Sequence, residues 1–380
     1  MIKRVLTSKL VELAGKYPIV TLTGPRQSGK STLLRATFPE YEYVSLENTD
    51  VRLFAQTDPK GFLSSYPDKT IIDEAQRVPL LFSYIQTQTD IQGKEGAYIL
   101  AGSQNFLLME SITQSLAGRS AILKLLPFSH IELADERVKP QTVNDEIFTG
   151  GYPRIYDKAI APTDFYPYYI QTYLERDVRQ LKNIGNLNKF IVFLKMCAGR
   201  TGQLLNLSSL ANECGIVLST AQSWISILEA SYIVYLLKPD HNNYSKRLVK
   251  TPKLYFYDTG LVCSLLNITK SKQIATHFMR GALFENLVIN EFVKKNLNSG
   301  SEPQLSFWRD KTGNEVDLIE QIGDKQYAYE IKSGSTYSSE YFQGLRYWAS
   351  HSKTPANQCS VIYNGDKSLI TSFGKVIKWG

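Results

Sequence analysis

Apolar and β-branched positions in the first third of the chain gather into short strand-like segments, at residues 19–23, 41–46, 69–74, 97–103 and 121–126, and the first of them, Ile19 to Thr23, is a continuous run. Segments of that length predict strands, buried on both faces where the run is continuous. Helical stretches separate them, so the order reads as a parallel α/β sheet. From about residue 150 the rhythm changes to helical and aromatic, with Phe165, Tyr166, Tyr168, Tyr169 and Tyr173 at spacings that core packing explains. Phe190, Ile191, Phe193, Leu194 and Cys197 then recur at helical intervals. Ser208 and Ser219 stand where N-caps would open two more helices, and Gly215 lies between to end the first. Strand-like runs at 233–237 and 253–257 follow, and helices followed by such a hairpin predict a winged helix-turn-helix. The last part offers a helix around residues 283–288 and half-buried strands at 314–319 and 327–332, in which residues two apart share a face. These changes of rhythm divide the chain into 1–135, 136–186, 187–262 and 263–380.

The residues after the first strand turn a fold into a chemistry. Gly24-Pro25-Arg26-Gln27-Ser28-Gly29-Lys30-Ser31 satisfies G-x-x-x-x-G-K-[ST] at every fixed position, and Thr32 continues into a helix. A loop that wraps backbone N–H groups around β- and γ-phosphates needs Gly24 and Gly29 to lack side chains. Lys30 adds a point charge, and the Ser31 hydroxyl can ligate Mg²⁺. The helix behind the loop aims its positive end at the anion. Farther on, Ile71-Ile72-Asp73-Glu74 ends a buried strand in two carboxylates. Asp73 can hold Mg²⁺ through water, and Glu74 can polarise the water that attacks the γ-phosphate.

Composition changes this picture little. With 380 residues, 43% of them hydrophobic, the chain predicts two or three globular domains with full cores. Cys197, Cys214, Cys263 and Cys359 lie far apart, which speaks against zinc and suits a reducing cytoplasm. No apolar run suggests a signal peptide or a membrane span, so a cytoplasmic location without membrane contact is expected. A net charge of +7 permits a nucleic-acid partner without demanding one. The basic charge concentrates between residues 241 and 257, where Lys246, Arg247, Lys250 and Lys253 occur without an acid. A basic wing beside a recognition helix suits duplex DNA, although the same shape also serves protein contacts.

The first domain resembles the AAA+/ASCE ATPases, which implies ATP as the nucleotide. That resemblance puts Ser103, in Ser103-Gln104-Asn105, at the sensor-1 position. It puts Arg119, in Leu116-Ala117-Gly118-Arg119, where an arginine finger acts in trans within a homo-oligomer. Gly151-Tyr152-Pro153-Arg154 resembles the sensor-2 G-x-x-R, with Arg154 directed at the nucleotide. Such arginines spread transition-state charge.

In the last domain, Asp317 with Glu330-Ile331-Lys332 resembles the D…E-x-K set of PD-(D/E)XK nucleases. The resemblance implies Mg²⁺ on Asp317 and Glu330, Glu285 as a further carboxylate, and Lys332 orienting or deprotonating water. Gln343-Gly344-Leu345-Arg346-Tyr347 is similar to the Q-x-x-x-Y helix of RecB-like nucleases, whereas the proline often found before the aspartate is absent.

The whole chain resembles a family of bacterial and archaeal ATP-binding proteins that join an AAA+-like module to a nuclease-like domain of unassigned function. The matching stretches are Gly24 to Thr32, Asp73-Glu74-Ala75-Gln76, Leu116 to Arg119, Gly150 to Pro153, Tyr257-Asp258-Thr259-Gly260-Leu261, Gly313 to Asp317 and Glu330 to Gly334. The expected architecture is a P-loop core at 1–135, a helical lid at 136–186, a winged helix-turn-helix at 187–262 and a nuclease-like α/β domain at 263–380. The expected function is an ATPase acting on duplex or branched DNA, with Mg²⁺-dependent cleavage by the last domain as a further activity. The other reading is an ATP-dependent switch that binds protein partners and keeps an inert nuclease-like scaffold.

Overall fold

The computed structural model describes residues 2–103, 115–134, 138–174, 186–240 and 249–380. Strands β1 (Ile19–Thr23), β2 (Glu42–Ser45), β3 (Thr70–Asp73), β4 (Tyr98–Gly102) and β5 (Ser120–Lys124) form one parallel sheet in the order β2-β3-β4-β1-β5. Every residue of β1, β3 and β4 is buried, which is why their sequences run apolar without alternating. Ile19, Ile72 and Leu100 face one apolar cluster, while Val20, Leu22, Ile71 and Ile99 face the other. After β1 the chain crosses to the β2 edge, works back to β4, and finishes on the opposite side of β1 with β5. That reversal opens a crevice above the carboxyl ends of β1 and β4, where open α/β sheets bind ligands.

Helices Val143–Thr149, Pro153–Lys158 and Pro162–Tyr169 follow, packed through Tyr152, Phe165, Tyr166 and Tyr169. Tyr168 does not join them. It is 66% exposed, because its helix turns that position away from the cluster. Buried Asp258 fixes these helices to the next domain: it accepts hydrogen bonds from Gly151 N and Tyr166 Oη, both at 2.7 Å, and from Leu261 N at 2.9 Å. Asp258→Ala strands all three donors, so thermal unfolding should report a loss of about 3 kcal/mol.

Next come helices Leu187–Ala198, Leu207–Glu213 and Leu218–Ala230, then antiparallel β6 (Val234–Leu237) and β7 (Lys253–Phe256). The caps differ from expectation. Asn206, not Ser208, caps the start of the second helix by accepting from Ser209 N at 3.0 Å, and Ser219 lies inside the third helix, which begins at Leu218. The strand pair is tied on both sides. Leu204 bridges to Lys253, and beyond β6 the backbone exchanges hydrogen bonds with Phe307, Asp240 N donating at 2.7 Å and Phe307 N donating to Lys238 O at 3.1 Å.

The final domain runs from helix Arg280–Asn298 through β8 (Leu305–Arg309), β9 (Glu315–Ile322), β10 (Lys325–Lys332), helix Gln343–Ser352 and β11 (Cys359–Tyr363) to β12 (Leu369–Ile370) and β13 (Lys375–Lys378). The strand order is β12-β13-β11-β10-β9-β8, with β8, β9 and β10 antiparallel and β11 returning parallel to β10. One sheet face packs on Trp308, Phe342 and Trp348. The other contributes Phe307, Leu318, Ile331 and Ile362 to a cluster that also holds Phe190, Trp224 and Phe256, so the middle and final domains share one core. No helix among the described residues is long and apolar enough to cross a membrane.

Candidate nucleotide site and a second carboxylate centre

The loop after β1 takes the shape its glycines permit. Gly24 has φ 146°, and a Cβ there would stand 2.1 Å from the Leu125 carbonyl oxygen. Gly29, at φ 91°, opens helix Lys30–Thr37. Lys30 is 7% exposed, and its ammonium donates to the carbonyls of Gly24 at 2.9 Å and Pro25 at 2.8 Å. Gln27 Oε1 and Ser28 Oγ are buried with no hydrogen-bond partner among the described residues.

Asp73 is the hub of the site. Its Oδ2 accepts from Ser31 Oγ and from Tyr43 Oη, each at 2.6 Å, and its Oδ1 accepts from Glu74 N at 3.0 Å. Burial, reinforced by Asp73, pushes the Tyr43 phenol up to about 12, so Tyr43 keeps the proton that it donates to Asp73. Glu74 adopts a left-handed backbone at φ 54°, a conformation that costs a non-glycine residue about 1–2 kcal/mol. This turns its carboxylate toward β4, where Oε1 accepts from Ser103 Oγ at 3.2 Å and Oε2 from Gln76 Nε2 at 2.5 Å. Lys30, Ser31, Asp73, Glu74 and Ser103 line a cleft of about 950 Å³, with Pro153, Arg154, Arg26 and Gln27 also on its wall. Ser31 and Asp73 fit Mg²⁺: both are oxygen donors, and they already converge on one point. Tyr43→Phe removes one of the bonds that fix Asp73. A Mg²⁺ titration of turnover should show the half-maximal concentration rising about 2–10-fold.

Sequence reasoning missed Tyr43, Arg4 and Glu132. The Arg4 guanidinium donates to Glu132 Oε1 at 3.0 Å, to Ser28 O at 3.0 Å and to Leu126 O at 2.5 Å. It also lies 4.6 Å from the Phe128 ring centroid. Glu132 in turn accepts from Val5 N at 2.8 Å and Ser129 N at 2.9 Å. Burial pushes Arg4 below its ordinary value against the pull of Glu132. Arg119 is elsewhere. It precedes β5, at the sheet edge opposite the cleft, where it pairs with Asp90 at 2.6 Å.

A second group of charges lies on the final sheet. The pairing of β8 with β9 slips between Ser306↔Ile319 and Trp308↔Val316, so Asp317 and Leu318 together face a single residue in a β-bulge. Asp317 Oδ2 accepts from Ile331 N at 2.8 Å. Lys332 Nζ lies 2.5 Å from Glu330 Oε1, as their shared face predicts. Glu285 reaches in from helix Arg280–Asn298, with Tyr255 Oη donating to its Oε1. Burial raises both Glu285 and Glu330, against the pull of Lys253 and Lys332 respectively.

Lys253 corrects two expectations at once. It is 2% exposed and points inward, so it is not part of a basic wing that meets DNA. Its ammonium lies 3.0 Å from Glu285 Oε1, 3.8 Å from Asp317 Oδ1, and in contact with Glu315. Burial opposes that charge, yet Glu285, Asp317 and Glu315 hold it above the ordinary lysine value. The metal expected on Glu285, Asp317 and Glu330 therefore does not fit: among the described residues no three His, Cys, Asp or Glu side chains are set to hold a metal ion. Of the other expected DNA contacts, Lys250 is exposed, whereas Lys246 and Arg247 lie outside the described residues, as do Gln104 and Asn105.

Residues 16–134 match a family model described as an AAA domain. Residues 140–272 and 280–379 match two domains of unknown function, DUF8612 and DUF4143. The chain is 31% identical over 345 residues to the uncharacterized proteins Rv2008c of Mycobacterium tuberculosis and Mb2031c of Mycobacterium bovis, covering 88% of this chain and 75% of theirs. Among solved structures, a Walker-type ATPase of Pyrococcus abyssi aligns over 70% of this chain and 96% of its own at 14% identity, with a TM-score of 0.47. AMPPCP-bound DnaA from Aquifex aeolicus aligns over 59% and 86% at 14% identity, with a TM-score of 0.31.

Proposed function

The chain belongs to the same family as these two mycobacterial proteins, and from that premise, joined to its AAA domain, we propose that it is a Mg²⁺-dependent ATPase whose nucleotide cleft governs how the later domains engage a partner. One row of side chains along the carboxyl edge of the sheet carries the reading: Lys30, Ser31 with Asp73, and Glu74 with Ser103. Lys30 and the loop amides hold the β- and γ-phosphates. Bound on Ser31 and Asp73, Mg²⁺ supplies charge neutralisation at the phosphates. Glu74 accepts a proton as water's oxygen bonds to the γ-phosphorus and the bond to the bridging oxygen breaks, leaving ADP and phosphate. Arg154 faces the same cleft from the lid and offsets charge on the transferring group. Arg119, on the opposite edge, serves only from a second copy of the chain. Size-exclusion with a non-hydrolysable ATP analogue tests this: a larger assembly that Arg119→Ala dissolves or inactivates is expected, and a monomer with full turnover contradicts it.

DNA is the partner we propose for the middle domain. Support comes from three helices followed by an antiparallel strand pair, exposed Lys250 and the net charge of +7. Gel-shift titration at several salt concentrations tests it, and no shift even at low salt ends this reading. A specific observation favours the protein-binding switch as a second reading. The outward positions of helix Leu218–Ala230 are Leu218, Ser219, Gln222 and Ser226, with no cation among them, and Lys253 is internal. DNA-stimulated turnover separates the two.

A further inference from the structure

We infer that the carboxylate centre of the final sheet is a closed ion-pair centre whose cation is Lys253, delivered in cis from the middle domain, and that it takes no divalent metal. The inference is independent of the ATPase reading. It rests on the protein cations and donors that already engage these carboxylates, one of whose oxygens, Glu330 Oε2, is buried with no hydrogen-bond partner among the described residues. The Lys253 ammonium serves Glu285, Glu315 and Asp317 together. The other oxygen of Glu315 pairs with Arg309 Nη1 at 3.0 Å, and Glu330 pairs with Lys332. Tyr255 Oη and Ile331 N occupy further lone pairs on Glu285 and Asp317. A hard cation needs most of those oxygens to itself, and like charges a few ångströms apart in a buried site repel strongly.

Nor can the lysine swing aside cheaply. Lys253 opens β7, where it pairs with Leu237 and bridges to Leu204, and the rest of that strand lies in the core shared by the middle and final domains. The ammonium therefore joins the two domains as a built-in counter-ion. The nuclease-like residue set becomes a scaffold, with Lys332 engaged by Glu330 rather than by water at a metal.

The test uses Mn²⁺ and the nucleotide-free full chain in an Asp73→Asn background, which removes the cation position of the nucleotide cleft. Free Mn²⁺ is read by electron paramagnetic resonance and thermal unfolding is followed in parallel. The parent should take up no Mn²⁺ and show no Mn²⁺-dependent rise in Tm. Lys253→Met should bind Mn²⁺ at least about tenfold more tightly than the parent, and Mn²⁺ should raise its Tm. Uptake by the parent that disappears with Glu285→Gln and Asp317→Asn overturns the inference. So does a folded Lys253→Met that binds no Mn²⁺. If Lys253→Met does not fold, adding Glu285→Gln and Glu315→Gln should restore folding, because the lost charge balance is the cause. Failure of that triple variant to fold overturns the inference as well.

Discussion

Glu74→Gln lowers ATP turnover by about 10²–10⁴-fold while leaving ATP binding in place, the usual range for losing a positioned general base. The amide keeps the size of the carboxylate and can still meet Ser103 and Gln76, which now hold Glu74 at 3.2 Å and 2.5 Å. What it cannot do is accept the proton of the attacking water. The groups that hold nucleotide, Lys30 and the loop amides, are untouched. Nucleotide titration and phosphate release, run on the same preparation, separate the two effects. A variant that loses binding and turnover together would place Glu74 in nucleotide affinity rather than in chemistry.

Arg4→Met destabilises the protein by about 3–5 kcal/mol, because it leaves the fully buried Glu132 carboxylate without its cation. The effect reaches the cleft as well, since Arg4 also pins the Ser28 carbonyl in the phosphate loop. Denaturant unfolding measures the loss. The double variant Arg4→Met, Glu132→Gln should lose less than Arg4→Met alone, because glutamine removes the unpaired charge and keeps an acceptor. Equal losses in the single and double variants would mean that packing of the Arg4 stem on Phe128, not the ion pair, carries the energy.

The phosphate loop and Asp73-Glu74 were legible because each is written in consecutive residues at the end of a strand, β1 and β3. The strand runs were legible for the related reason that β1, β3 and β4 are buried on both faces. Arg4 and Glu132 were not legible. They lie 128 positions apart, and nothing local marks either as internal. Tyr43 reads as one more aromatic in a strand until β2 is seen beside β3, with Ser45 opposite Asp73. Lys253 was misread for an instructive reason. Its near neighbours Lys246, Arg247 and Lys250 make the stretch look like one basic surface, whereas its partners Glu285, Glu315 and Asp317 come from later in the chain. Asp317 was legible through its resemblance to the D…E-x-K set, whereas the bulge that breaks the two-residue period of β9 at that residue was not.

The most direct test of the account is phosphate release from ATP by the full chain with and without Mg²⁺, beside Lys30→Ala. Release that requires Mg²⁺ and vanishes in Lys30→Ala is the predicted result. Release at the same rate in Lys30→Ala, or none from the unaltered chain, would contradict it.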